Sequence, residues 1–161
     1  MRRFFCFLSP IILFPIMPWV IYWAWRYERK ALKAGRKLTP EELKRAELAG
    51  VSEPHRVRVL SVDEIPMPGT RWMQVLADRL GFPALTAAGI TLGYGILVRK
   101  DLNMNAWLIL HECVHVAQYE RFGNKRTFLY RYLRECMTLG YDASPLEREA
   151  VEKTAIVTRQ S

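Results

Sequence analysis

From Phe4 to Trp25 the chain carries no charged side chain for twenty-two residues, and at 1.5 Å per residue that length spans the roughly 30 Å hydrocarbon core of a bilayer. The run reads as an N-terminal membrane helix. Pro10, Pro15 and Pro18 make it irregular, while Trp19, Tyr22, Trp23, Trp25 and Tyr27 crowd its C-terminal end as an aromatic belt would. No small-x-small cleavage site follows, so the segment is expected to be retained rather than removed as a signal peptide.

Beyond it the apolar positions fall into short periodic stretches. Leu38-Thr39-Pro40-Glu41-Glu42 opens a capped helix that Gly50 closes, expected as a stalk between anchor and domain. Val57 to Leu60 alternates as a strand does, and Trp72 to Leu80 is an amphipathic helix closed by Gly81-Phe82-Pro83. Ile90, Leu92, Tyr94, Ile96 and Val98 alternate with Gly93 and Gly95 among them, which predicts a strand or a tight glycine-containing hairpin. Helical periodicity returns around Ala106 to Phe122, again over Arg126 to Thr138, and after Ser144-Pro145, a helix-start pair. The expected architecture is α+β: a small antiparallel sheet packed on the helix at 106–122 and the two helices after it. The expected division is an anchor with a basic juxtamembrane segment at 1–37 and one domain at 38–161, where about 120 residues suffice for a single core.

Inside the apolar run Ala106-Trp107-Leu108-Ile109-Leu110 the sequence continues His111-Glu112-Cys113-Val114-His115. Residues four apart on a helix lie one turn above each other, so His111 and His115 present two imidazoles to one Zn²⁺ ion, and Glu112 can reach a metal-bound water as general base. Such a five-residue pattern also arises by chance. Here the chain has three histidines in all, and an apolar helix has no reason to hold two of them one turn apart unless something satisfies them.

A mononuclear site needs a third protein ligand. His55 precedes the strand at 57–60 and belongs to its approach. In Ser144-Pro145-Leu146-Glu147-Arg148-Glu149-Ala150, steps of about 100° set Glu147 among Leu146, Ala150, Val151 and Thr154, with Glu149 nearly opposite and facing water. Two roles are open to Glu147: an inward carboxylate acting as metal ligand, or the third position of a capping box begun by Ser144.

The HExxH helix followed by a helix bearing a glutamate resembles the gluzincin branch of zinc metallopeptidases, in particular small bacterial minimal forms. The likeness rests on Gly89 to Ile96, Leu110 to Tyr119 and Pro145 to Ala150, and covers roughly residues 55 to 157. It implies a zincin-like fold, Zn²⁺ held by His111, His115 and Glu147, Glu112 as catalytic base, and a peptide or protein substrate. It also implies an edge strand before the active helix onto which an extended peptide adds, with Gly93 and Gly95 permitting close approach. The chain departs from the extended motif at Val151, where related peptidases often carry Asp, so support for a histidine must come from elsewhere. Tyr132 and Tyr141 are candidate oxyanion donors by position in the chain only.

Net charge is +8, of which residues 1 to 50, with ten basic and four acidic side chains, hold +6. The basicity thus flanks the apolar run rather than marking the domain, and no nucleic-acid motif is present, which argues against nucleic acid as a partner. Arg26, Arg29, Lys30, Lys33, Arg36 and Lys37 outnumber Arg2 and Arg3, so the domain is expected on the cytoplasmic face of a bacterial inner membrane. Cys6, Cys113 and Cys136 read as buried small apolar residues rather than a disulfide framework. Two functions fit these features: a membrane-anchored zinc metallopeptidase, or a non-catalytic, metal-stabilised binding module at the membrane. The sequence names no substrate and no oligomeric state.

Overall fold

The computed structural model describes residues 2–79, 86–103 and 105–160, with side chains from residue 15 onward except at 76, 77 and 79. In chain order the elements are α1 (Arg2–Ala34), β1 (Arg36–Lys37), α2 (Pro40–Leu48), β2 (Arg58–Val62), α3 (Arg71–Arg79), β3 (Gly89–Leu92), β4 (Gly95–Arg99), α4 (Ala106–Arg121), α5 (Lys125–Leu139) and α6 (Pro145–Gln160). The turn expected at Gly81-Phe82-Pro83 lies outside the described residues.

Local chemistry sets the helix limits. The Thr39 side chain accepts from the Glu42 N–H while Glu42 reaches back to the Thr39 N–H, the reciprocal pair that starts α2. Asn105 and Asn124 cap α4 and α5 by accepting from the N–H groups of Leu108 and Thr127.

The four strands lie in the order β1-β2-β4-β3. β2 and β4 run parallel, with Val59 opposite Ile96, whereas β1–β2 and β3–β4 are antiparallel. The sheet is therefore mixed, not antiparallel as expected. The chain leaves β2, passes through α3 and returns by the β3–β4 hairpin, whose second strand is the one that enters beside β2. β3 is thereby placed at the edge.

Strand alternation gives the sheet two apolar faces. Val59, Ile96 and Val98 meet Ile109, Cys113 and Val116 of α4 and Ala46 of α2. Leu92 and Leu97 meet Val20 and Ala24 of α1 and Phe128 and Leu129 of α5. α2 is accordingly a core helix and not a stalk.

The expected membrane helix gains no support as a free-standing span. α1 is helical across its length, but Met17, Val20, Ala24 and Ala31 are buried against the sheet and α5, which spends on the protein core the face a free-standing span would show to lipid. Among the described residues no helix is long and apolar enough to cross a membrane. Gly93 and Gly95 explain how closely α1 approaches. Gly93 has φ +70° and a Cβ there would meet Glu28, whereas a Cβ at Gly95 would lie 2.9 Å from the Ala31 Cβ. The Glu28 carboxylate accepts from the Tyr94 N–H at 3.1 Å and pairs with Lys125, tying α1 to the hairpin and α5. The two glycines make room for α1, not for a substrate.

Candidate metal centre

From Leu108 to Val116 every residue of α4 is buried. One side of the helix lies on the sheet, and Leu110 and Val114 meet Ala150 and Val157 of α6. The one-turn spacing then puts His111 and His115 together at the floor of a cleft bounded by α1, β3, α5 and α6. The helix that a pattern search finds is thus gripped by protein on both flanks, so its imidazoles are held rather than solvated.

Glu147, near the start of α6, completes a three-donor group with them. Nε2 of His111 and Nε2 of His115 are 3.2 Å apart, and the Glu147 carboxylate oxygens lie 3.5 Å from the first and 3.4 Å from the second. Ligands about 2.0–2.1 Å from a tetrahedral Zn²⁺ stand roughly 3.3 Å from one another. Each carboxylate oxygen thus lies at about that spacing from one of the imidazole nitrogens, and two nitrogens with one carboxylate is a donor set that zinc takes. The structure thus brings His111, His115 and Glu147 together as one buried group that could hold a metal ion.

Hydrogen bonding fixes which nitrogen faces the centre. The Gln118 amide nitrogen donates to the Leu146 carbonyl at 2.9 Å and to Glu149 at 3.2 Å, so its oxygen is the atom 2.8 Å from His115 Nδ1. Nδ1 must then carry a proton, which leaves Nε2 as the nitrogen that faces His111 and Glu147. Gln118 supplies the support that the sequence left unassigned. It lies three residues past His115, one turn on along the same face, and that spacing was the available signal. Glu149, expected to face water, is half-buried and pairs with Arg121 at 2.7 Å while bracing Gln118. His111 is stacked on Trp107, ring centroids 5.3 Å apart, and its Nδ1 has no hydrogen-bond partner among the described residues.

The two roles open to Glu147 are separated by Glu135. From α5, Glu135 accepts from the Leu146 N–H at 3.2 Å and from the Ser144 hydroxyl at 3.1 Å, and so caps α6 itself. Glu147 is left for the histidines, 3 % exposed and accepting a hydrogen bond from the Tyr132 hydroxyl. Burial would raise its pKa, but the hydrogen bonds from His111, His115 and Tyr132 hold it well below the usual carboxylate range. Burial would lower the His115 pKa, yet Glu147 outweighs it and pushes that imidazole up to about 9.

Glu112 stands beside the triangle and outside it. Its carboxylate accepts from the Thr91 hydroxyl of β3 at 2.7 Å, and the same hydroxyl lies 2.9 Å from the Glu112 carbonyl. A Cβ at Gly89 would come 2.7 Å from Glu112 Oε1, so that glycine keeps the space the carboxylate occupies. Both residues lie in the stretch Gly89 to Ile96 that carries the resemblance, but the sequence assigns neither a role, because their contact with Glu112 depends on which face of the edge strand meets α4.

Tyr132 is fully engaged with Glu147, whereas Tyr141 is half-buried and lines the cleft. Burial and the Glu147 charge raise both phenols, so both remain donors at neutral pH. Cys113 is buried on the sheet side of α4, and burial together with Glu147 pushes the Cys136 thiol up to about 12, as expected for packing residues rather than nucleophiles. His55 is exposed in a turn ahead of β2 and takes no part. Cys6 lies on α1 where side chains are not described.

Alanine at His111 or His115 should abolish uptake of about one zinc per chain. Glu147→Ala and Gln118→Ala should each weaken it about tenfold or more, since metal-supporting groups have that effect. Metal analysis after dialysis against buffered zinc checks this, and retention of zinc by both histidine variants would exclude the site.

The His115 shift gives a second test. Its folded pKa, about 9, exceeds the ordinary 6.5, so between those values the metal-free fold keeps a proton that the unfolded chain has lost. Stability from this pair is complete below about pH 6.5 and declines as pH rises through about 9. Zinc displaces the same proton, so binding near neutral pH should release about one proton from His115, read by calorimetry in buffers of different ionisation enthalpy. His115→Ala removes that release.

No known protein family, curated protein or solved structure matches this chain, so the chemistry must be read from its own donors and distances.

Proposed function

We propose that the protein is a zinc-dependent peptidase held at a membrane through α1. The observation that carries the proposal is Glu112, a buried carboxylate set beside three metal donors and not among them. A purely structural site has no use for it. Bound at the triangle, zinc would lower the pKa of a coordinated water towards about 7 and polarise a carbonyl. Glu112 then accepts the proton of the attacking water and returns it to the leaving amine, its carboxylate held by Thr91 during both transfers. Tyr141, a protonated phenol that lines the cleft, would be the donor to the developing oxyanion. β3, at the free edge of the sheet, offers its backbone to an extended peptide.

Glu112→Gln should retain zinc and fold while lowering hydrolysis by about 10²–10⁴-fold, the range of a general base. Thr91→Val should cost about tenfold with zinc retained, and Thr91→Ser should restore most of it. The measurement is turnover of a broad peptide library by the zinc-loaded proteins. If zinc-loaded wild type cleaves nothing, the protein is instead a non-catalytic, metal-stabilised binding module.

Membrane association is supported by the exposed row Ile16, Trp19, Tyr22 and Trp25 on α1, followed by Arg26, Arg29, Lys30 and Lys33. Aromatic side chains at the interface with a cationic band behind them are the pattern of a surface that meets anionic lipid from the cytoplasmic side. The full chain should sediment with anionic vesicles, and replacing Trp19, Tyr22 and Trp25 by Ser should release it. Recovery of the unmodified chain in the supernatant would refute the assignment.

A further inference from the structure

The cleft around the metal donors has a volume of about 1290 Å³, above the roughly 300–1,000 Å³ usual for small-molecule sites. Its lining is divided by charge. Ile16, Trp19 and Trp23 of α1 and Phe128, Leu129 and Leu133 of α5 form an uncharged wall, and β3 adds Ile90 and Leu92. Apart from Glu112 and Glu147, the charged side chains among the described lining residues are Asp142, Arg148 and Glu152, all from the α5–α6 turn and the first turns of α6. The metal donors lie where these two linings meet.

Resting on the peptidase reading above, we infer that the substrate is a polypeptide with an unbroken apolar run on one side of the scissile bond and a charged or polar stretch on the other. The apolar run lies against α1 and α5, and the polar stretch reaches the turn before α6. Two properties of the cleft require this. A charged side chain against the α1–α5 wall would lose water with no partner among the lining residues, which is costly. Conversely, Trp19, 46 % exposed, and Ile16, 37 % exposed, leave apolar surface at the cleft rim that an apolar segment would cover and a polar one would not. The volume, and the outer position of β3 in the sheet among the described residues, fit a chain segment rather than a compact metabolite. α1 in this view is one wall of the substrate site as well as a support for the sheet.

The test separates recognition from chemistry. Zinc-loaded full-length Glu112→Gln protein is titrated by fluorescence anisotropy with labelled peptides of equal length. One set joins a leucine–alanine run to a lysine–glutamine segment in either order, a second is polar throughout, and a third is leucine–alanine throughout. One order of the joined peptides should bind about tenfold or more tightly than the polar peptide, and more tightly than the wholly apolar one. Adding Ile16→Lys and Trp19→Lys should remove that advantage, with zinc content measured to verify the fold. Equal affinities across the sets, or an advantage that survives both lysines, would overturn the inference. Cleavage of the same peptides by wild type reads the other question. Selective binding without cleavage defeats the peptidase reading and leaves the ligand class standing, whereas cleavage without selectivity does the reverse.

Discussion

A carboxylate that is 3 % exposed between two imidazoles can exist only if every one of its lone pairs finds a donor or an ion, and the placement of Glu147 sets the terms for the elements around it. Its helix must start where Glu147 points at α4 and not at water. Glu135 secures that start from α5 by taking the cap role, Tyr132 and His115 face one carboxylate oxygen, and His111 faces the other. α4, α5 and α6 are thus joined through one buried charge. Replacing it by an apolar residue would leave two imidazoles facing a void, while removing a histidine would leave a carboxylate short of a partner, and each loss costs more than the missing contact alone.

Gln118 extends the same constraint outward. Its amide reads His115 with the oxygen and α6 with the nitrogen, and Glu149 and Arg121 lock it from the protein surface. The imidazole's tautomer is thereby decided by a residue outside the donor group. On the opposite flank Thr91 does for Glu112 what Gln118 does for His115. His115 and Glu112 are therefore positioned by different structural layers, one by the helices and one by the sheet edge, so a disturbance of β3 can displace Glu112 without loosening the His111, His115 and Glu147 group.

α1 shows how one sequence feature can serve two surroundings. Its buried face of Met17, Val20 and Ala24 completes the core beneath Leu92 and Leu97, and the glycines of the β3–β4 turn let it come close enough to do so. Its other face shows Trp19, Tyr22 and Trp25 to the outside. Uncharged length records that both faces are apolar. It does not record which of them meets protein, because burial in a core and burial in lipid select the same residues.

By itself the sequence determined the donors and the local elements. His111, Glu112 and His115 follow from a five-residue spacing on a helix, Glu147 from the phase of the last helix, and the limits of α2 from Thr39, Glu42 and Gly50, because all of these depend on interactions within a few residues of chain. Tertiary structure alone decided what depends on distant pairings: the parallel pairing of β2 with β4, the seat of α1 on the hairpin, the cap of α6 by Glu135, and the contact of Thr91 with Glu112. Each joins segments that no local period connects. Strand alternation says that Thr91 and Ile90 point to opposite faces, but only the docking of α4 on one face and of α1 and α5 on the other gives Thr91 the carboxylate and Ile90 its apolar neighbours.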